Sequence, residues 1–219
     1  MSKFSQKKSR SLNDRSAAIG CLAEIISGMK GAITPHAQPL LELFYRALGD
    51  SDREVLSNAA FATGLLVENS ELDLSPQFLQ LLQALRPLFI VPEQAPAAQL
   101  NAKDNAAGAV ARLIVRNSAA MPLDQVLPIF IGALPLKNDF LENRPVFRAL
   151  FHLFKTNGSI LLPFMDRLLS VFAHVLNPSG PDQIGDEIRG ELIHLLVAIN
   201  NEEPAKIQAA GLGVFLPGA

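Results

Sequence analysis

Carboxylate and asparagine side chains recur at regular distances along the chain, in a pattern that could bind a positively charged peptide. Asn58 and Asn105 each open a similar segment, and an asparagine amide can both donate to and accept from an extended backbone. A row of acids attracts lysine and arginine and selects basic partners, and Phe61 could hold a lysine stem or make a cation–π contact. The candidate binding residues are therefore Asn58, Phe61, Asp104, Asn105, Glu142, Asp186 and Glu187.

Each candidate also has a purely structural interpretation. Asp52, Asp104 and Asp186 are expected near helix starts, where a carboxylate caps free backbone N–H groups and meets the positive end of the helix dipole. Asn58 and Asn105 could link neighbouring helices, and Phe61 could belong to the core. Arg112 could form a bridge to a neighbouring acid. The residue types alone leave these alternatives open.

Residues that would carry catalysis do not group in the sequence. The four histidines (His36, His152, His174 and His194) are far apart and do not form ligand-spaced pairs with each other or with Cys21. No nucleophile elbow, phosphate-binding loop or dinucleotide fingerprint occurs. We predict a protein that is not an enzyme, with no catalytic residues, no metal and no cofactor. Cys21 lies in an apolar run, which predicts a buried, unreactive thiol.

Charge is distributed unevenly, and this limits the classes of partner. Residues 1–15 carry five basic groups and one acid, whereas the other 204 residues carry 14 basic and 20 acidic groups. An acidic body repels nucleic acid phosphates and favours basic partners, so we expect no direct nucleic acid ligand. No run of eighteen apolar residues occurs, which argues against a membrane partner.

The elements that position these residues follow from internal repeats. The segment NAAFATGLLVEN begins at Asn58, NAAGAVARLIVRN begins at Asn105, and a third copy, SAAIGCLAEIIS, begins at Ser16. Apolar residues recur in each at i, i+3, i+4 and i+7, as in a helix with one buried face. Segments of a second kind lie between them and begin near proline, which the first turn of a helix tolerates.

A helix pair that recurs about every 40 residues is typical of HEAT repeats. We predict an all-α solenoid of about five HEAT-type antiparallel helix pairs. Residues 1–11 would form a basic, disordered or loop-like N-terminus, and residues 12–219 one continuous array. Because the array begins without a polar capping repeat, we expect it to be part of a longer one.

Four stretches resemble one family of repeat proteins. They are DRSAAIGCLAEIISGMKGAI from Asp14, DREVLSNAAFATGLLVEN from Asp52, KDNAAGAVARLIV from Lys103 and ALPLKNDFLEN from Ala133. The chain resembles the C-terminal HEAT repeats of the importin-β superfamily, the karyopherins. It is most similar to the branch that includes importin four and the fungal importins of histones and ribosomal proteins.

The resemblance implies a receptor that shuttles between cytoplasm and nucleus and carries basic cargo, such as histones and ribosomal proteins, on an acidic concave face. It implies nucleoporins and Ran-GTP as partners of a full-length receptor. It also implies a lysine-binding groove at Phe61, Asn105 and the turn Leu141-Glu142. The family usually has two adjacent glutamates at that turn, and Leu141 replaces one of them here. The alternative function is a HEAT-repeat scaffold or adaptor in a multiprotein complex, without a transport role.

Overall fold

The computed structural model describes residues 12–218, with side chains from residue 14, and these form an all-α solenoid without strands. The predicted N-terminal segment 1–11 lies outside the described residues. The α-helices are α1 Leu12–Met29, α2 Ala37–Ala47, α3 Arg53–Asn69, α4 Phe78–Leu85, α5 Ala97–Asn117, α6 Leu123–Gly132, α7 Asn143–Asn157, α8 Met165–Leu176, α9 Gly185–Glu202 and α10 Pro204–Ala209. Short 3₁₀ segments are Lys30–His36, Ser75–Gln77, Arg86–Phe89, Ser118–Ala120, Phe140–Glu142, Gly158–Phe164 and Leu212–Phe215.

The odd-numbered helices form one continuous layer, which is the framework of the candidate site. Helix α3 packs against α1 on one side and α5 on the other, and α7 continues the row from α5 to α9. Helices α2 and α4 pack on α3 and α5 respectively, as the second layer of a HEAT pair. The fold prediction is therefore confirmed.

Helix starts and packing follow from local sequence. Asp52 is extended and its Oδ1 accepts hydrogen bonds from the backbone N–H groups of Glu54 and Val55, at 3.0 and 3.1 Å. This N-cap satisfies two donors that have no partner within the helix.

Five phenylalanines are fully buried between the layers, and small residues bring the odd helices close together. The buried phenylalanines are Phe44, Phe78, Phe130, Phe147 and Phe172.

Two predictions about local structure are wrong. Cys21 is exposed, because it lies on the side of α1 opposite to the buried residues Ile19, Ala23 and Ile26, so its thiol is not a core group. Asp104 does not stand at a helix start, because α5 already begins at Ala97, seven residues earlier in the chain than the carboxylate. Its side chain caps a different segment, which is described with the site.

Two stretches are long and apolar enough to cross a membrane by length and composition alone, residues 14–47 and 140–176. Each comprises two helices joined by a 3₁₀ segment, not one uninterrupted helix. Their large apolar side chains include Phe44 and Phe147, which are fully buried in the solenoid core. Core helices of this kind meet the same criterion, so the absence of a membrane partner stays a prediction.

Candidate functional site

Asn58 and Asn105 occupy equivalent positions and make equivalent contacts. Nδ2 of Asn58 on α3 donates to the carbonyl oxygen and Oγ of Ser16 on α1, both at 3.0 Å. Nδ2 of Asn105 on α5 donates to Oγ of Ser57 on α3 at 2.9 Å. The two asparagines thus link three consecutive helices of the odd layer. Oδ1 of Asn105 is buried and has no hydrogen-bond partner.

One arginine joins three successive repeats. Nε of Arg112 on α5 donates to Oε2 of Glu68 on α3 at 2.8 Å. Its Nη1 and Nη2 donate to Oε2 and Oε1 of Glu142 at 2.5 and 3.1 Å, in the two-point geometry that an arginine and a carboxylate favour. The guanidinium carbon also lies 5.8 Å from the centre of the Phe61 ring. We call Phe61, Glu68, Arg112 and Glu142 the Arg112 cluster.

Two glycines make room for the Arg112 cluster. A Cβ atom on Gly108 would lie 1.4 Å from Oε2 of Glu142 and 3.0 Å from Nη1 of Arg112. A Cβ atom on Gly64 would lie 3.0 Å from Cα of Ala109 and 3.1 Å from Cδ of Arg112. Neither glycine has a positive φ. They are needed for close approach between α3, α5 and the turn before α7, not for backbone conformation.

In the Arg112 cluster, burial disfavours the charged forms of Arg112 and Glu142, and the ion pair between them favours these forms. Burial raises the pKa of Glu142, although the hydrogen bonds and charge of Arg112 act in the other direction. Burial also disfavours the Arg112 cation, but Glu142 and Glu68 outweigh it, so the net pKa of Arg112 is raised. The raised pKa of Glu142 favours its neutral form, whereas the raised pKa of Arg112 requires an ionised Glu142. We take Glu142 as ionised at neutral pH, because the guanidinium beside it stays protonated. Its anion depends on Arg112.

Asp104 holds the segment that leads from α6 to α7. Its Oδ2 accepts hydrogen bonds from the backbone N–H groups of Lys137, Asn138 and Asp139, at 3.0, 2.7 and 2.9 Å. Its side chain is fully buried, and burial raises its pKa more than these three donors lower it. Oδ1 has no hydrogen-bond partner. Asp104 therefore fixes the backbone of one repeat onto the helix of another.

Substitution of Asp104 by alanine is expected to release this segment. Three N–H groups would lose a charged acceptor, and each unsatisfied polar group costs about 1–3 kcal/mol unless water reaches it. Because Lys137 and Asn138 are exposed, we expect a net loss of about 2–3 kcal/mol. Hydrogen exchange should become faster at residues 137–139. Asp124→Ala, at an exposed acid of α6, is the control, and equal exchange in both variants would contradict the assignment.

The structure corrects how several predicted residues could bind a partner. Asp104 and Glu142 are 0% and 2% exposed, and Asn105 is 6% exposed. Their polar groups contact the protein itself, so direct ionic contact between a bound lysine and either buried carboxylate does not fit this geometry. Phe61 and Asn58 are partly exposed. The alternative interpretations of Asn58 and Asn105 as links and of Arg112 as a bridge describe the contacts seen here.

Asp186 and Glu187 lie on α9, separated from α5 by α7, and both are exposed. Glu187 accepts from Arg144 and Arg148 of α7 at 3.0 and 3.3 Å. Lys155 lies 3.9 Å from Glu191 in the same pair of helices. The predicted acidic row is therefore interrupted at α7 by basic side chains that neutralise part of α9.

Glu68, Gly64 and Gly108 belong to the site although the sequence did not predict them. The available signal was the run of small residues from Ala106 to Ala109 on α5, which predicts a close helix approach. Among the described residues, no group of three histidine, cysteine, aspartate or glutamate side chains could hold a metal ion. Within the Arg112 cluster, the ion pairs of Arg112 fix a guanidinium next to the partly exposed ring of Phe61.

Similarity to known proteins covers most of the chain. It is 41% identical over 191 residues to the probable importin subunit beta-4 of Schizosaccharomyces pombe, covering 87% of this chain and 17% of that protein. It is 29% identical to Importin-4 of Homo sapiens and 28% to Importin-4 of Mus musculus, covering 93% of this chain and 18% of each relative. No family model matches the chain. The chain thus spans less than a fifth of the length of these relatives.

Proposed function

The chain belongs to the importin-β superfamily, and on this premise we propose that it is a cargo-binding part of a nuclear import receptor. Its cargo would be basic import signals, such as those of histones and ribosomal proteins. A receptor of this kind moves between cytoplasm and nucleus, and it is a binding protein and not an enzyme. The observation that supports binding of a basic segment is a face of exposed acids on α1 and α3, beside the Arg112 cluster.

Exposed positions on α3 recur at helical spacing on one face. Glu54, Asn58, Phe61 and Glu68 are separated by four, three and seven residues, so they lie on one side of the helix. Glu54 is exposed and forms no ion pair with the described residues, and the side chain of Glu68 keeps 42% of its surface exposed. Glu24 is an exposed acid on the adjacent helix α1, one turn after Gly20, where a Cβ atom would lie 3.5 Å from Nδ2 of Asn58. We call Glu24, Glu54, Asn58, Phe61 and Glu68 the α1–α3 face.

An extended basic peptide fits the chemistry of the α1–α3 face. Carboxylates at both ends of α3 would attract lysine side chains, and the half-exposed carboxylate of Glu68 remains accessible beside Arg112. Phe61 would contact the aliphatic part of a lysine. Glu142 and Asn105 are buried and would not contact the peptide. Glu142 would hold Arg112 in place, and Asn105 would fix the spacing between α3 and α5. Leu141, which is 85% exposed, offers no charge at the turn.

Binding of a lysine-rich peptide tests this proposal. A fluorescein-labelled peptide Gly-Lys-Lys-Ala-Lys-Lys-Gly is titrated with the chain and followed by fluorescence anisotropy. We expect saturable binding that weakens steeply with added salt, because the contacts are between exposed charges. The double substitution Glu24→Gln/Glu54→Gln should weaken binding about ten-fold at low salt, since each exposed charge pair contributes up to about 1 kcal/mol.

The matched control is Glu42→Gln/Asp124→Asn, which removes two exposed acids from α2 and α6 in the other layer. Its net charge is identical to that of the test variant, so non-specific attraction to the whole protein would weaken equally in both. Equal loss in the two variants, or no binding at low salt, would overturn the proposal. Phe61→Leu should weaken binding without changing the salt dependence, because it removes no charge.

A groove on the other layer supports a second kind of partner for the same receptor. It lies between α4 and α6 with a volume of about 380 Å³, and its apolar lining includes Leu79, Leu82, Phe89, Ile129 and Phe130. Phenylalanine side chains of nucleoporins would fit an apolar groove of this size. Ran-GTP would bind other repeats of a full-length receptor. The scaffold alternative predicts instead a fixed multisubunit complex and no difference between the two double variants.

A further inference from the structure

A cationic pocket lies away from the α1–α3 face. It is bounded by the first half of α5, the end of α6, the start of α8 and the segments before α5 and before α7, and its volume is about 380 Å³. Lys103, Lys137 and Arg167 line it from three different elements, together with a single acid, Glu93. Three basic side chains therefore line one pocket in a protein whose residues 16–219 carry a net charge of −6.

The fold holds the guanidinium of one of these cations and the backbone of another. The guanidinium of Arg167 donates from Nη2 to the carbonyl oxygen of Leu134, which leaves its other N–H groups available. Lys137 belongs to the segment that Asp104 holds through its backbone, with the Lys137 N–H at 3.0 Å from Oδ2. Asp104 itself does not line the pocket. Ligand binding here would require little ordering of the backbone, which lowers its entropic cost.

The only counter-charge in the lining is weakly placed. Oε1 of Glu93 lies 3.8 Å from Nζ of Lys137, and the Glu93 side chain is 85% exposed. An exposed pair at this distance contributes little free energy. A ligand with a higher charge than a carboxylate would displace Glu93 from Lys137. Lys103 makes no ion pair with the described residues.

We propose that this pocket binds a phosphorylated serine or threonine side chain of a partner protein. A phosphate monoester carries a charge of about −1.5 to −2 at pH 7 and three acceptor oxygens, which matches a pocket lined by three basic side chains better than one carboxylate does. None of the residues that line the pocket is aromatic, so a nucleotide base would find no ring for stacking. Leu100 and Val91 provide apolar contact for the adjoining peptide.

The test uses NMR of the isotope-labelled 219-residue chain. The probe is an acetylated and amidated peptide Gly-Ala-phosphoserine-Ala-Gly, compared with peptides that carry serine or glutamate at the centre, with inorganic phosphate and with adenosine monophosphate. We expect saturable shift changes at the backbone amides of Lys103, of residues 132–134 and of residues 136 and 137. The phosphopeptide should bind at least ten-fold more tightly than the serine and glutamate peptides.

Charge-matched variants separate a site from general attraction. Lys103→Gln/Lys137→Gln should reduce phosphopeptide affinity at least ten-fold, whereas Lys30→Gln/Arg53→Gln, at exposed positions outside the pocket, should not. Glu93→Gln should increase affinity, because it removes the competing carboxylate. Equal affinity for the serine or glutamate peptide, equal affinity for free phosphate or adenosine monophosphate, or the same loss in both double variants would overturn the proposal. The outcome does not depend on cargo binding at the α1–α3 face.

Discussion

Replacement of Gly108 by alanine is expected to destabilise the protein by about 2–4 kcal/mol, against the usual effect of this substitution in a helix. Alanine is favoured over glycine in a helix interior by about 1 kcal/mol. The new Cβ would lie 1.4 Å from Oε2 and 2.5 Å from Cδ of Glu142, so that side chain must move. Its movement separates a buried ion pair, which costs about 3–5 kcal/mol. The free energy lost by displacing Glu142 therefore exceeds the free energy gained from the higher helix propensity of alanine.

Chemical denaturation with urea measures this effect, and hydrogen exchange locates it. A solenoid need not unfold in one step, so faster exchange should be concentrated in α5 and the turn before α7. The matched control is Gly190→Ala in α9, where a Cβ atom would meet nothing within 4 Å. That variant should gain about 0.5–1 kcal/mol from helix propensity. Equal effects of the two substitutions would contradict the close approach at Gly108.

The helices were predictable because each carries a strong local signal. The apolar spacing from Ser16, Asn58 and Asn105 reflects one buried face per helix, and the structure places these segments in α1, α3 and α5. The equal repeat positions of Asn58 and Asn105 predicted that they project in the same way, and both donate to a serine on the preceding helix of the layer. Local periodicity is enough for this because each repeat contacts only its neighbours.

The site was less predictable because its contacts join distant parts of the chain. Arg112 is 44 residues from Glu68 and 30 from Glu142, and no local pattern tells which of several acids an arginine meets. The sequence predicts that Asp104 caps its own helix, yet its carboxylate accepts hydrogen bonds from the backbone N–H groups of residues 137–139. The segment before α7 folds back over α5, and only the three-dimensional arrangement reveals that. The exposure of Cys21 was not predicted because an apolar run does not tell which side of α1 is buried.

The contribution of the Arg112–Glu142 pair can be separated from its burial by a double-mutant cycle. Arg112→Met leaves Glu142 buried without its cation, and we expect a loss of about 3–5 kcal/mol. Glu142→Leu leaves Arg112 with Glu68, which is partly exposed, so the expected loss is smaller, about 2–3 kcal/mol. The combined variant removes both buried charges and should be more stable than Arg112→Met alone. Thermal and urea denaturation at pH 7 measure all four proteins.

The pH dependence of Arg112→Met decides whether an unpaired carboxylate causes its loss of stability. Burial raises the pKa of Glu142 above its unfolded value, and the substitution removes Arg112, whose hydrogen bonds and charge lower that pKa. A carboxyl with a raised folded pKa contributes stability that is present at low pH and is lost as pH rises through that pKa. The free energy gap between Arg112→Met and the unmodified chain should therefore shrink as pH falls from 7 to about 5. A gap that is independent of pH, or a combined variant less stable than Arg112→Met, would show that packing around Arg112 and not its charge stabilises the junction of the three repeats.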